Sequence, residues 1–198
     1  MSATDNPAGR LHALLQQLRG QPNPANVITA TAWSHILGVP EAEVFVPYFE
    51  VVSLIDQIET QVAALHNTDA SFVSEMPALR RVMTNMPRFG QPLQATLGEI
   101  QESAIVQLAM ASSILSSVYG EEPRPSADEQ LGEIREEIRG LVGLVEEASE
   151  VDREVRFFLI DHLRQMDAAI GSFKIAGPDG LRRVIDSVLG DAVRVQPN

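Results

Sequence analysis

Residues 103–120, SAIVQLAMASSILSSVYG, form a long helix-compatible stretch without a single Asp, Glu, Lys or Arg, bounded by Glu102 and Glu121. A helix lying on the surface of a globular protein carries charge on one face. One with no charge on any face is expected to be covered on every side. The stretch therefore predicts a central, buried helix over 103–119, with the rest of the chain packed around it. Its length approaches the roughly 20 apolar residues that a bilayer requires. Its five serines and one glutamine point instead to the core of a helical bundle.

The segments around it repeat one pattern. From 41 to 66 the apolar positions are Val44, Tyr48, Val51, Ile55, Ile58, Val62 and Leu65, at steps of three and four. Leu97, Ile100, Ala104, Leu108, Ala111, Leu115 and Val118 continue it over 92–119. Leu131, Ile134, Ile138, Leu141, Val145 and Ala148 do so over 127–148, and Val155, Leu159, His162, Met166, Ile170 and Phe173 over 153–174. This is helix spacing, and no run alternates at period two long enough to make a strand. The expected fold is all-α: a multi-helix bundle of four long helices, about 41–66, 92–119, 127–148 and 153–174.

Short helices complete it. Leu11, Leu14, Leu15 and Leu18 stripe one over 10–19, after a mobile 1–9. Thr29–Leu37 carries Trp33 and is capped by Gly38, and Pro77 and Pro87 break 70–90 into one or two short pieces. Gly177 followed by Pro178 separates a last helix that ends near Gly190, before a fraying tail. Ser149–Asp152 is too short to do other than fold 127–148 and 153–174 into an antiparallel hairpin. The chain reads as a single helical domain, 1–198, with a subdomain boundary at Gly120–Pro125 (GEEPRP) between 1–120 and 126–190. Ser126 and Glu129 make a capping box just after that boundary.

Charge narrows the functional classes. With 15 basic and 27 acidic residues the net charge is −12. The segment 121–154 holds 4 basic and 12 acidic residues, 4 − 12 = −8, the largest local excess. Phosphate binding needs clustered Lys and Arg, so nucleic acid is not an expected partner. Thr29–Val46, with WSHILGVPEAEVF, outlines a helix-turn-helix, but its would-be recognition segment EAEVFVPYF carries Glu41 and Glu43 and no base. Cysteine is absent, which removes disulfides and thiolate chemistry and fits a reducing cytoplasm.

The search for catalytic constellations returns no expected catalytic, cofactor or metal residue. His12, His35, His66 and His162 belong to no Glu-x-x-His or His-Glu-x-x-His arrangement. His162, on the apolar stripe of its helix after Asp161, is read as a core histidine bonding a neighbouring carbonyl or carboxylate, with a general base as the alternative. Gly140 and Gly143, each about 1 kcal/mol less favourable than alanine in mid-helix, suggest close helix contact or a groove. The candidate binding residues are the carboxylates of the hairpin, Glu136, Glu137, Glu146, Glu147 and Glu150. At the hairpin tip, where Arg153 and Arg156 are interleaved, the carboxylates read first as a solvated cap, with an acidic docking surface for a basic protein as the alternative.

Residues 131–190, with VDREVRFFLIDHLRQMDAAI followed by FKIAGPDGLRRVIDSVLG, resemble a type of uncharacterised bacterial all-helical protein. LGVPEAEVFVPYFEVVSLIDQIETQV, at 37–62, is similar to the same type. The resemblance implies no activity and no site residue; it implies a place in a bacterial or phage accessory system, antiphage defence among them. The expected function is a non-enzymatic interaction module, cytoplasmic, with a protein partner or a homo-oligomer, no cofactor, and no membrane contact in the resting state. Two alternatives stand beside it: a membrane-acting effector that releases 103–120, and an enzyme with a site near His162.

Overall fold

The computed structural model describes residues 6–65, 70–119 and 127–194. These residues are mostly helical, with no strand among them. The chain divides into two compact units, Met1–Pro123 and Arg124–Asn198. The expected Gly120–Pro125 linker, the Ser126 capping residue, His66 and the break at 67–69 lie outside the described residues.

The first unit contains α1 (Pro7–Arg19), α2 (Thr29–Leu37), α3 (Phe45–Ala63), α4 (Met76–Met83), α5 (Leu93–Glu99) and α6 (Glu102–Tyr119), with short 3-10 turns at Glu41–Glu43, Ala70–Val73 and Met86–Gly90. Its hub is α1, which packs against α2, α3 and α6. Leu11, Leu14, Leu15 and Leu18 are buried, and so are Pro7, Ala8 and Gly9 before them. The expectation of a mobile 1–9 fails from Asn6 onward. Asn6 caps α1 by accepting from the Gly9 N–H at 2.9 Å, and its Nδ2 donates to the Ser112 carbonyl and Ser116 Oγ, both at 3.0 Å. One buried side chain thus starts α1 and ties it to α6.

Helix α6 is therefore not covered on every side. Ala104, Ile105, Leu108, Ala111, Ser112, Leu115 and Ser116 are buried against its neighbours. Val106 is 50% and Met110 47% exposed, and Ser113, Ser117 and Val118 lie open beyond them. Small and hydroxylated side chains let α6 do without charge on its outer face. Ser113 donates to the Ala109 carbonyl and Ser117 to the Ile114 carbonyl, so their hydroxyls are satisfied within the helix.

The expected continuous helix over 92–119 is broken. Ile100 is extended (φ −77°, ψ 105°) and separates α5 from α6. The Arg19 guanidinium spans the break, donating to the Ile100 carbonyl at 3.2 Å and to Glu102 at 2.5 Å. Helix α5 is held separately, by Leu93 N–H to the Val27 carbonyl and Thr29 N–H to the Gln91 carbonyl. The 41–66 reading shortens likewise: Glu41–Glu43 is a 3-10 turn and α3 starts at Phe45, leaving Pro47 in a first turn that needs no donor. The stripe itself is as expected, with Val44, Tyr48, Val51, Ile55, Ile58 and Val62 buried.

The second unit contains α7 (Ala127–Glu147), α8 (Arg153–Gly171) and α9 (Phe173–Arg194). Helices α7 and α8 form the expected hairpin. Arg135 bonds Asp167, and Glu146 bonds Arg164, so sequence advances on one helix as it recedes on the other. Asp152 starts α8 by accepting from the Glu154 N–H at 2.8 Å. Helix α8 stops at Gly171, three residues before the expected 174. A Cβ at Gly171 would come within 3.1 Å of Arg135 Nη2, so the missing side chain makes room for the guanidinium that grips Asp167. Helix α9 packs on α8 and bends at Gly177 (φ 64°, ψ −168°), a conformation open to glycine alone. Pro178 restarts the helix there, which then runs on to Arg194 rather than stopping near Gly190.

Candidate functional site

The hairpin α7–α8 carries the residues on which the sequence concentrates charge, and its two flanks differ. Along one, Arg135 and Arg139 pair with Asp167, Arg139 with Glu136 at 2.7 Å, and Arg164 with Glu146 at 3.0 Å. The Arg139–Glu136 and Arg164–Glu146 pairs are exposed and contribute only ~0–1 kcal/mol each, while Arg135–Asp167 is half-buried. Two of the five candidate carboxylates, Glu136 and Glu146, are thereby engaged within the hairpin. Glu137, Glu147 and Glu150 are exposed.

The other flank is apolar and open. Helical rotation at 3.6 residues per turn carries Ile134 and Leu141 away from the ion-paired side. They are 44% and 48% exposed, and Leu144, one turn beyond Leu141, is 66% exposed. Both Ile134 and Leu141 belonged to the expected core stripe of 127–148. Of the same stripe Ile138 is buried and Leu131, Val145 and Ala148 half-buried, with Val142 joining them. The reason is that α7 has two apolar stripes and one of them faces α8. The same holds across the hairpin. His162, Ile170 and Phe173 of the expected 153–174 stripe are buried, whereas Val155 and Leu159 are exposed.

Single exposed apolar side chains are ordinary on protein surfaces. Here the exposed apolar side chains recur at helical spacing and are interleaved with carboxylates. Glu137 lies one turn before Leu141 and Glu147 one turn after Leu144, with Glu133 one turn before Glu137. Sequence reasoning missed Glu133, Ile134, Leu141 and Leu144 as surface residues. The available signal was the second three-and-four-spaced stripe on α7, which one partner helix could not cover.

Gly140 and Gly143 do not mark close contact between helices of this chain. A Cβ at either would meet nothing within 4 Å. Gly140 lies on the open flank, one residue before Leu141.

His162 is buried, and its Nδ1–H donates to the Phe158 carbonyl at 2.7 Å, one turn back in its own helix. The Phe158 ring lies beside it, centroids 4.0 Å apart. His12 and His35 stand on α1 and α2, and among the described residues no group of three or more His, Asp or Glu is placed to hold a metal ion. No helix of the described residues is long and apolar enough to cross a membrane. The segment outlined as a helix-turn-helix runs from α2 through the Glu41–Glu43 3-10 turn into the start of α3, where Phe45, Val46 and Phe49 are exposed. Phe45 stacks on buried Phe89, which also meets Tyr48 edge-on, so this smaller patch is the outer rim of an aromatic cluster. No family model matches the chain, and no curated protein or solved structure matches it.

Proposed function

We propose that the chain is a non-enzymatic helical interaction module, a subunit or regulator whose second unit takes a protein partner on the open flank of the α7–α8 hairpin. The observation that carries this reading is the exposed row Ile134, Leu141 and Leu144 beside the carboxylates Glu137 and Glu147. Apolar anchors with a polar rim are the anatomy of a protein interface. Interaction, rather than catalysis, is the use to which such a surface lends itself.

Isolation of the full chain from the cells that make it tests the reading. The wild-type chain is expected to retain a stoichiometric protein partner that the Leu141→Asp/Leu144→Asp variant loses while staying helical. A wild-type chain that is solitary, or a partner retained equally by the variant, refutes it. The resemblance of 131–190 to helical proteins of bacterial and phage accessory systems, with the lack of cysteine, supports a cytoplasmic place in such a system. Phage plating efficiency on cells with and without the gene checks the antiphage case, with unchanged plating across a broad phage panel counting against it.

A further inference from the structure

We infer that the occupant of the open flank is a basic amphipathic helix of a partner protein, and not a second copy of this chain. The inference rests on the proposal that the flank takes a protein, and it identifies the kind of protein. Ile134, Glu137, Leu141, Leu144 and Ala148 follow one another at steps of three, four, three and four along α7. That is the a/d seam of a coiled coil, whose knobs and holes fit another helix. All of these side chains are exposed or half-buried, so the seam has no full cover among the described residues.

The seam also states the partner's charge. Glu137 occupies a position that is apolar in an ordinary seam, and a carboxylate brought into a helix–helix contact needs a Lys or Arg opposite it. Glu133 and Glu147 fall on the flanking g positions of the same frame, where charges select the partner. Gly140, the g position between them, has open space where its side chain would be, so a helix can approach α7 closely there. A second copy laid parallel would set Glu137 against Glu137, in a chain already at −12. The complement is a helix with apolar a/d positions, a basic residue facing Glu137, and Lys or Arg on its edges.

The probe is a synthetic helical peptide about three heptads long, with Leu and Ile at a and d and Lys at e and g, fluorescently labelled and titrated with the full chain. A matching peptide carrying Glu in place of Lys serves as the second ligand. Saturable binding of the Lys peptide, weakening as salt rises, and little binding of the Glu peptide are expected. Leu141→Asp/Leu144→Asp should lower affinity at least about tenfold, Glu137→Lys should do likewise, and Arg164→Lys, on the ion-paired flank, should leave it unchanged. Circular dichroism confirms that each variant is folded. Absent binding of the Lys peptide, equal binding of the Glu peptide, or a Lys peptide that binds the Leu141→Asp/Leu144→Asp variant as tightly as wild type overturns the inference.

A photo-cross-linking residue at 147, in cells, separates this inference from the reading beneath it. An adduct with a basic helical segment of another protein supports both. An adduct with an acidic or non-helical segment, or with a second copy of the chain, sinks the inference and leaves the docking surface standing. No polypeptide adduct sinks both.

Discussion

Gly140→Ala tests whether the flank of α7 is open. In a helix interior glycine is less favourable than alanine by about 1 kcal/mol, because it gives up more backbone freedom on folding. The gain from alanine is realised only where the new methyl has room. At Gly140 a Cβ meets nothing within 4 Å, so no steric term offsets the gain, and no apolar burial adds to it. The expected stabilisation is ~0.5–1 kcal/mol. The second unit runs from 124 to 198, or 198 − 124 + 1 = 75 residues, a size at which that is an upward shift of roughly 3–8 °C in midpoint. Calorimetry of the full chain reads the shift, and amide hydrogen exchange along α7 assigns it to this unit. One internal control has the opposite sign. A Cβ at Gly180 would lie 2.4 Å from the Ala176 Cβ, so Gly180→Ala should destabilise. A Gly140→Ala variant that melts below wild type would show that some part of the molecule occupies the space beside Gly140, and the argument for an open seam would fall with it.

Asn6→Ala removes an N-cap worth about 1 kcal/mol and two buried hydrogen bonds of similar size to α6; a loss of ~3 kcal/mol is expected in urea unfolding. Asn6→Asp keeps the cap acceptor without the donors and should recover only the capping part. Leu108→Ala, on the buried face of α6, should cost ~2–5 kcal/mol, and Met110→Ala, on its open face, less than ~0.5 kcal/mol; equal losses would contradict the one-sided burial of that helix. Burial raises the pKa of the Glu50 carboxyl. A raised folded-state pKa contributes stability below the unfolded value and loses it as pH rises through the folded one. Glu50→Gln should therefore be more stable than wild type at neutral pH, with the difference shrinking as pH falls through the carboxylate range. A pH-independent difference would rule out that origin.

The sequence by itself determined the all-helical class and much of the local punctuation. Steps of three and four in the apolar residues leave no other secondary structure. Asp152 at the start of α8, the Gly177–Pro178 bend and the hairpin between α7 and α8 follow from capping chemistry and from a connection too short to turn any other way. The location of the charge was equally legible, since it needs only counting.

Which stripe on a helix meets a neighbour was decided by the tertiary structure. A stripe records that a face is apolar; it does not record how many helices are present to cover it. On α7 the rows 131/138/142/145 and 134/141/144 have similar claims, and the single position of α8 chose the first and exposed the second. The same competition displaced α6 from the centre of the first unit. Four leucines on the short helix α1, started by Asn6, fill the space between α2, α3 and α6 with larger side chains than the alanines and serines of α6 can offer. The uncharged 103–119 segment was thus left with one buried face and one open one. An absence of charge shows only that a surface tolerates burial, and the number and placement of neighbouring helices decide whether it is buried.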